Sequence, residues 1–453
     1  MRIGLLGCGI VGGAFVELLN ERRAAIAATS GVELELARVA VRSITKERAG
    51  DLDPALLTTD AQSVVDDPTI DLVVEVIGGI EPARSLIQSA LRSGKSVVTG
   101  NKELLANVGA DLYAAADAAG VDLLFEAAVA GAIPIVRPLR ESLLGEDVTR
   151  LLGIVNGTTN YILTRMSTDG VSYAEALAEA QHLGYAERDP TADVEGYDAG
   201  AKAAILASIA FGEQVVAGDV YHEGIAGITD ADIDYAHRLG YEIKLLAIAE
   251  AFPPVASVEA GASAGGGADT GADATAEAPE SSGRRDVGVR VHPAMVPVDH
   301  PLASVRDSFN AVFVEGTAAG ELMFYGRGAG GRPTASAVLG DVVDAAANRL
   351  RGHHRPVPTG ARAKIRSIDD LASAYYVNLE VTDAPGVLAA VAGVFGNHGV
   401  SIRSMEQQGL GSGARIAFIT HRAIERNLRA TLADLRRLDV VAGIGSVLRV
   451  VGD

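Results

Sequence analysis

Short apolar runs alternate with longer amphipathic stretches over the first 130 residues. The apolar runs fall at residues 2–6, 34–41, 72–77, 96–99 and 123–125, and stretches of helical length such as 11–28 separate them. Continuous apolar strands of this kind are typical of a parallel sheet that helices cover on both faces. Residues 1–130 are therefore predicted to form a βαβ series, which is a doubly wound Rossmann-type parallel sheet of the α/β class.

The pattern changes after residue 130. Longer Ala-rich helical stretches come first, and strand-like runs follow after residue 288, so residues 131–350 are predicted to form a second, α+β domain. Within it, residues 252–283 are rich in Ala and Gly, hold no Lys or Arg and show no apolar period. We expect this stretch to be a disordered insertion between a helix and a strand.

The last part of the chain has a different order of predicted strands and helices. Residues 351–373 are predicted to be a linker, and residues 374–453 follow the order strand, helix, strand, strand, helix, strand. This βαββαβ order predicts a third, ferredoxin-like domain at the C-terminus.

Composition narrows the class of protein. The formal net charge is −19, and this disfavours nucleic acid or an anionic membrane as partner, because a phosphate-bearing partner needs a basic face. Cys8 is the sole cysteine, so neither an internal disulfide framework nor a cysteine-cluster metal site is expected. The apolar start is too short and too glycine-rich for a membrane span and lacks a cleavage site, so we expect a soluble cytoplasmic protein.

A glycine pattern stands where the first predicted strand meets the first predicted helix. Gly7, Gly9 and Gly12 form G-C-G-I-V-G at that junction. In a Rossmann domain such glycines permit the tight turn, the approach of a pyrophosphate to the backbone and close packing of the helix on the strand. The alternative is a purely structural glycine turn.

Arg42 follows the second predicted strand. An NAD-selective site usually places a carboxylate there to hold the ribose hydroxyls, whereas a guanidinium can pair with a 2′-phosphate. The sequence thus favours NADP(H) over NAD(H), although Arg42 could instead be a solvated loop charge.

Two lysines stand where hydride chemistry between a nicotinamide and an alcohol needs a proton donor. Lys102 follows a strand at the carboxyl edge of the predicted sheet, where ligands of doubly wound folds bind. Lys202 lies four residues after Asp198, so the two share one face of a predicted helix that continues as a buried apolar run. The alternative is a surface salt bridge.

Three carboxylates precede that helix in one short stretch, at Glu187, Asp189 and Asp193. They could hold the ammonium group of an amino-acid substrate while a lysine protonates its oxygen. The alternative is a solvated acidic loop.

Several long motifs occur in one order: GNKELLA at 100–106, FEAAVAGAIPI at 125–135, GIVNGTTNYIL at 153–163, GYAERDPTADVEGYDAGAK at 184–202 and FYGRGAGGRPTASAV at 324–338. Together with the glycine pattern they resemble the bacterial homoserine dehydrogenase family over about residues 1–350. The D-A-P-G-V-L segment at 383–388 resembles an ACT domain, as in long monofunctional members of that family.

The resemblance implies NAD(P)-dependent interconversion of L-homoserine and L-aspartate 4-semialdehyde, on the route to threonine, methionine and isoleucine. It implies that Lys202 is the general acid, that Lys102 lies beside substrate and nicotinamide, and that Glu187, Asp198 and Asp193 form the substrate site. It also implies a set of cofactor-lining residues, namely Gly7, Gly9, Ile10, Val11, Gly12, Arg42, Ile77, Gly78, Lys102, Gly184, Gly328 and Gly330.

The resemblance further implies a monovalent-cation loop at residues 125–134, with Glu126, Val129, Gly131 and Ile133 in the ligand positions. Oxygen ligands, mostly backbone carbonyls, suit a hard cation such as Na⁺. The residues alone would be interpreted as a buried strand and turn.

The C-terminal segment implies feedback inhibition, with L-threonine as the expected effector, and assembly into a homodimer or homotetramer. Backbone N–H groups at the helix that follows D-A-P-G suit an amino-acid carboxylate. A purely structural oligomerisation module is the alternative for this segment. For the whole chain, the alternatives are another ACT-tailed dehydrogenase of a hydroxy or keto acid, and a non-catalytic sensor of NADP and an amino acid.

Overall fold

The computed structural model of the chain describes residues 1–46, 52–253, 285–357, 360–409 and 413–452. The predicted disordered insertion at 252–283 lies outside the described residues except for its first two positions. At the first of these the prediction is wrong, because Phe252 is the last residue of a strand.

The strands are β1 (Arg2–Leu6), β2 (Glu35–Ala40), β3 (Leu57–Thr58), β4 (Leu72–Glu75), β5 (Ser96–Thr99), β6 (Leu123–Leu124), β7 (Val148–Ile154), β8 (Tyr221–His222), β9 (Tyr241–Phe252), β10 (Asp286–Pro297), β11 (Phe309–Gly316), β12 (Gly320–Arg327), β13 (Lys364–Ile365), β14 (Ala372–Thr382), β15 (Ile402–Gly409), β16 (Gly413–Thr420), β17 (Ala423–Ile424) and β18 (Val441–Val450). The α-helices are α1 (Ile10–Ser30), α2 (Ala61–Asp66), α3 (Ala83–Arg92), α4 (Lys102–Ala119), α5 (Gly157–Asp169), α6 (Tyr173–His182), α7 (Thr191–Val194), α8 (Tyr197–Phe211), α9 (Asp230–Arg238), α10 (Gly331–Leu350), α11 (Val387–Asn397) and α12 (Glu425–Leu435).

The first sheet is parallel and has the strand order β3-β2-β1-β4-β5-β6. It confirms the predicted Rossmann-type fold. The chain runs outward from β1 through β2 to β3 and then returns to the other side of β1 at β4. The carboxyl ends of β1 and β4 therefore form the topological switch point, which is where open parallel sheets bind ligands.

Helix α10 packs on this first sheet, although its sequence lies in the stretch that we assigned to the second domain. Val338 and Val342 are fully buried in the same core as Ile3 and Phe15. The chain therefore returns to the nucleotide-type sheet after it has built the second one, and this return brings the FYGRGAGGRPTASAV motif to the glycine turn.

The second sheet has the strand order β12-β11-β7-β9-β10-β18-β14-β16-β15, and it continues through the C-terminal segment. Strand β9 corrects the expectation that a helix precedes the insertion. Its residues include several helix formers, but they pair with β7 on one side and with β10 over twelve positions on the other. This pairing outweighs local helix propensity.

The C-terminal segment has the predicted βαββαβ order, with β17 as an additional short strand. It is not a separate module on a free linker. Strand β18 pairs in parallel with β10 at Ala294↔Arg449 and Met295↔Val450. Strand β13, within the predicted linker 351–373, also pairs with β10.

No helix in the described part of the chain is long and apolar enough to cross a membrane.

Candidate active site

The glycine turn lies between β1 and α1 at the switch point. Gly7 has a φ of +98°, and a Cβ atom there would lie 2.8 Å from the carbonyl oxygen of Val76. A Cβ on Gly12 would lie 2.2 Å from the carbonyl oxygen of Gly7, so α1 approaches the turn as closely as a glycine allows. Around a Cβ on Gly9, by contrast, no atom of the described residues lies within 4 Å.

Helix α1 begins at this open position. Its N-cap is Gly9, and no side chain among the described residues caps its first amide groups. Ile10, the first helical residue, is 83% exposed, whereas Val11 packs partly against the core. Uncapped amides with the positive end of the helix dipole form an anion site, and their fit to a pyrophosphate depends on the missing Cβ of Gly9.

The N-terminus of α10 lies beside that of α1. A Cβ on Gly331 would lie 3.0 Å from Cγ2 of Ile10, and the N-cap residue Gly330, with φ of +120°, provides no side-chain cap. Arg332, in the first turn of α10, donates two hydrogen bonds to the carboxylate of Glu21 on α1, at 3.0 and 2.8 Å. The N-termini of α1 and α10 therefore lie side by side, and both favour a negatively charged ligand there.

Gly328 belongs to the turn that precedes α10. A Cβ on Gly131 would lie 2.4 Å from the Gly328 carbonyl oxygen, and Ala132 N–H donates to the Arg327 carbonyl at 3.1 Å. The structure thus brings the loop at 125–134 into contact with the glycine-rich turn, a proximity that sequence spacing does not show.

The turn after β4 is held by a buried carboxylate. Glu75, fully buried, accepts hydrogen bonds from the N–H groups of Ile77 and Gly78 at 2.7 and 3.2 Å, and from the Thr99 hydroxyl at 2.6 Å. Asn101 next caps α4 and donates to the Gly79 carbonyl at 2.6 Å. Ile77 and Gly78 therefore lie at the carboxyl edge of the sheet, beside Gly7.

Two further residues of the expected cofactor site lie on exposed turns. Arg42 is exposed two residues beyond the end of β2, whose Ala40 carbonyl accepts the N–H of Gly7 at 3.0 Å. Gly184, with φ of +77°, lies in the turn after α6 and donates to the Gln181 carbonyl.

The predicted general acid and its partner form a buried ion pair in α8. Lys202 Nζ lies 2.7 Å from Asp198 Oδ2 and also donates to the Val155 carbonyl at 2.7 Å. Lys102 Nζ, from the first turn of α4, lies 2.5 Å from Asp198 Oδ1. The surface-salt-bridge alternative fails at Lys202, because its side chain is 11% exposed and that of Asp198 only 8%.

Burial and charge act against each other in this cluster. Burial lowers the pKa of Lys202 below its ordinary value, although the Asp198 carboxylate opposes that shift. Burial alone would raise the pKa of Asp198, but the ammonium groups of Lys202 and Lys102 hold it far below its usual range. An ammonium group with a lowered pKa transfers its proton more readily, as a general acid must.

Asp193 joins the cluster through a residue that our sequence analysis did not assign. Asn156 Nδ2 donates to Asp193 Oδ1 at 2.7 Å and to Asp198 Oδ2 at 3.0 Å. Asn156 follows β7 and caps α5. The sequence signal for Asn156 is a polar residue that follows an apolar strand inside the GIVNGTTNYIL motif.

The remaining carboxylates of the acidic stretch lie apart from these contacts in the described structure. Glu187 is exposed, and its carbonyl oxygen accepts a hydrogen bond from Gln181 at 3.1 Å. Asp189 accepts from the Thr191 N–H and hydroxyl at 3.1 and 2.7 Å, so it closes the turn that precedes α7.

Family models cover the chain in three parts. The NAD-binding domain of homoserine dehydrogenase matches residues 7–126, homoserine dehydrogenase matches 134–343, and the ACT domain matches 375–440. The homoserine dehydrogenase of Corynebacterium glutamicum is 48% identical over 452 residues, covering 100% of this chain and 96% of its own. That of Mycobacterium tuberculosis is 48% identical over 457 residues, covering 99% and 97%.

The chain belongs to the homoserine dehydrogenase family.

A solved homoserine dehydrogenase from Thiobacillus denitrificans has a TM-score of 0.87 and 39% identity, covering 100% of this chain and 98% of its own. A hyperthermophilic archaeal homoserine dehydrogenase, solved in complex with NADPH, has a TM-score of 0.59 and 28% identity, covering 77% and 98%. This chain is accordingly an oxidoreductase that has an NAD(P)-binding domain, uses homoserine and aspartate semialdehyde as substrates and carries a C-terminal ACT domain.

The expected cation loop of this homoserine dehydrogenase contains two consecutive left-handed residues, Ala130 with φ of +56° and Gly131 with φ of +59°. The Glu126 carboxylate is engaged in backbone hydrogen bonds, since its two oxygens accept the N–H groups of residues 135, 136 and 137 at 2.6 to 2.8 Å. Among the described residues no group of three or more His, Cys, Asp or Glu is placed to hold a metal ion. A cation here would have to bind backbone carbonyl oxygens, as a hard alkali ion does.

Proposed function

We propose that this homoserine dehydrogenase reduces L-aspartate 4-semialdehyde to L-homoserine with NADPH, reversibly, and that Lys202 is the general acid. The observation that carries the proposal is the buried Lys202, whose Nζ is fixed by Asp198 and the Val155 carbonyl. NADPH, when bound, supplies the hydride to the carbonyl carbon. The Lys202 ammonium gives its proton to the carbonyl oxygen as the hydroxyl group forms.

We propose that the substrate's charged groups are held by the residues around that lysine. Lys102 is 46% exposed at its side chain and is paired with the buried Asp198, so it can turn toward a ligand at the mouth of the cluster. Asp198 and Asp193 offer negative charge to an ammonium group. Glu187, on the exposed turn before α7, would complete that set from the solvent side.

We propose that the two uncapped helix N-termini hold the pyrophosphate, with Gly7, Gly9, Ile10, Val11 and Gly12 on the α1 side. Gly328 and Gly330 would line the α10 side, and Ile77, Gly78 and Gly184 the remaining edge. Arg42 would read the 2′-phosphate and make NADP(H) the preferred cofactor, because its guanidinium stands beyond β2 where a carboxylate would serve NAD(H).

We propose a Na⁺ ion at the 125–134 loop, bound by the carbonyl oxygens of Val129, Gly131 and Ile133. The Glu126 carboxylate would hold the loop in shape rather than bind the ion, because it accepts three backbone N–H groups. The ion would brace the contact between this loop and the glycine-rich turn at Gly328.

We propose that L-threonine inhibits the enzyme through the ACT domain, as a product of the route that also leads to methionine and isoleucine. The N-cap of α11 is Gly386, and no side chain of the described residues caps this helix, which suits an amino-acid carboxylate. We further propose a homodimer or homotetramer. The domain division that we favour is 1–130, 131–350 and 374–453, with α10 packed back on the first.

The test is absorbance at the NADPH band with full-length protein. We expect NADPH to form from NADP⁺ and L-homoserine, more slowly when L-threonine is added. Asp383→Ala, in the D-A-P-G turn, should weaken the threonine effect about ten-fold and leave the uninhibited rate unchanged. Turnover with NAD⁺ but not with NADP⁺ would contradict the cofactor assignment. If L-threonine inhibits Asp383→Ala as strongly as the parent chain, the effector binds elsewhere.

A further inference from the structure

Asn156 connects two carboxylates that come from different helices. It is 4% exposed and stands at the carboxyl end of β7, directly after Val155, whose carbonyl accepts from Lys202. Two consecutive residues therefore hold the two members of the ion pair. The Val155 carbonyl accepts from Lys202, and the Asn156 amide donates to Asp198. Val155 and Asn156 both lie in the two-residue connection between β7 and α5, and regular structure at both ends fixes such a geometry more precisely than a long loop would.

The orientation of the Asn156 amide is determined by its other contacts. Its Oδ1 accepts the Thr159 N–H at 2.9 Å as the cap of α5, and also the Thr159 hydroxyl at 3.0 Å. An oxygen that accepts from a backbone N–H cannot be the amide nitrogen, so Nδ2 must face the carboxylates of Asp193 and Asp198. The Asn156 oxygen thus caps α5, and the Asn156 nitrogen donates to the two carboxylates of the cluster.

The charges in the cluster balance without Asn156. Lys102 and Lys202 contribute two positive charges, while Asp193 and Asp198 contribute two negative ones. A neutral N–H donor can hold the two carboxylates near each other without adding charge, which neither a lysine nor an aspartate could do at that position.

We propose that Asn156 is a positioning residue of the active site, which holds the carboxylates of Asp198 and Asp193 through one amide group and thereby fixes the position of the Lys202 ammonium group beside them. This proposal rests on the proposed role of Lys202. The groups that face Lys202 are Asp198 on its own helix, Lys102 on α4, Asp193 on α7 and the Val155 carbonyl at the end of β7.

Two variants separate the cap from the bridge. Asn156→Asp keeps size and cap acceptor but replaces the donor by a third carboxylate, whereas Asn156→Ser keeps a cap oxygen and loses the donor. Ser172→Ala is the matched control, because it removes the N-cap of the neighbouring helix α6 outside the cluster. The readouts are kcat and KM for homoserine, the pH profile of kcat/KM, and NADPH binding by fluorescence.

We expect Asn156→Asp to lower kcat/KM for homoserine by about ten-fold or more and to move the Lys202 limb of the pH profile to higher pH, because an added carboxylate stabilises the ammonium form. Asn156→Ser should lower kcat/KM without moving that limb upward. NADPH affinity should stay within about two-fold in both variants.

A purely structural role of Asn156 predicts different kinetic results. Equal kcat/KM losses in Asn156→Ser and Ser172→Ala, or an unshifted pH profile in Asn156→Asp, would overturn the proposal. If Lys202→Met keeps full turnover, the proposed general acid fails instead, and that result is read separately from the Asn156 series.

Discussion

Lys102 and Asp198 form an ion pair with Nζ and Oδ1 2.5 Å apart, although Lys102 begins a helix of the first sheet and Asp198 lies in the first turn of a helix that packs on the second. The contact therefore joins helices of the two sheets beside Lys202. Burial by itself would lower the pKa of Lys102, but Asp198 and Asp193 raise it above its ordinary value. Lys102 consequently remains an ammonium group while the pKa of Lys202 is lowered.

This asymmetry assigns different tasks to the two lysines. Lys102→Met is expected to raise KM for homoserine more than it lowers kcat, because it removes a partly exposed binding charge rather than the proton donor. Steady-state kinetics with both substrates at pH 7 measure the split. A drop in kcat as large as that of Lys202→Met, with KM unchanged, would contradict the assignment.

Lys202→Met is expected to lower kcat by about 10² to 10⁴-fold, the usual contribution of a positioned general acid. NADPH binding should persist, since the glycine turn is untouched. The matched control is Lys244→Met, which removes another buried lysine that donates to a backbone carbonyl, that of Val305 at 2.7 Å, on the second sheet. If the control loses as much kcat as Lys202→Met, burial rather than chemistry explains the loss.

Arg42→Asp is expected to shift the ratio of kcat/KM for NADP⁺ over NAD⁺ by about ten-fold or more toward NAD⁺, because a carboxylate repels the 2′-phosphate and binds ribose hydroxyls. Arg38→Asp is the control, since Arg38 is also exposed but lies within β2, away from its carboxyl end. An equal shift in both variants would mean that only net charge matters, and an unchanged ratio would assign the 2′-phosphate to another group.

Sequence reasoning predicted the parts of this fold that depend on local pattern. The parallel strands are continuous apolar runs, and the i, i+4 spacing placed Lys202 and Asp198 on one helix face. It did not predict β9, whose helix-forming residues are held in a strand by β7 and β10. Such pairing joins residues distant along the chain, and no local signal encodes it.

The site shows the same limit. Asn156, Val155 and Glu75 act through contacts with residues 24 to 47 positions away. The contact of Gly131 with Gly328 spans more of the chain still. The roles of the glycines, of Arg42 and of the cation loop stay predictions, whereas the family itself was recognisable from the ordered motifs.

Arg449 fixes the C-terminal segment to the rest of the chain. Its guanidinium, buried on β18, donates to Glu223 after β8 at 2.8 and 3.0 Å and to Glu425 on α12 at 3.1 and 2.9 Å. Glu223 is followed by Gly224, where a Cβ would lie 2.5 Å from the Val194 carbonyl oxygen, next to Asp193. One chain of contacts thus joins the ACT domain to the acidic cluster.

Arg449→Met is expected to lower the free energy of unfolding by about 3 kcal/mol, because it removes the cation that pairs with the buried Glu425 and the partly exposed Glu223. Arg437→Met is the control, since its side chain is 79% exposed and its ion pair with Asp434 should be worth less than about 1 kcal/mol. Urea unfolding measures both. Similar small losses in the two variants would show that Glu223 and Glu425 find water or other partners when the guanidinium is removed.

Asp341 is expected to make stability fall as pH rises. It is buried, accepts the Glu126 N–H at 2.7 Å and pairs with Arg137 at 2.8 Å, and burial with the Glu126 charge raises its pKa to about 7. Between the ordinary pKa of an aspartate and that value, the folded chain keeps a proton that the unfolded chain has lost. The contribution of Asp341 is therefore complete at acid pH and declines toward pH 7, by up to about 1.4 kcal/mol for each pH unit.

Asp341→Asn removes this titration and leaves Arg137 its second partner, Asp344, at 2.9 Å. We expect the melting temperature of Asp341→Asn, relative to the parent chain, to rise between pH 5 and pH 7 and to level off above. Asp147→Asn is the control and should give a constant difference over this range, because a hydrogen bond from Arg285 lowers the pKa of Asp147 and its titration falls at more acid pH. A difference for Asp341→Asn that stays constant over this range would mean that its carboxyl group is already charged at pH 5.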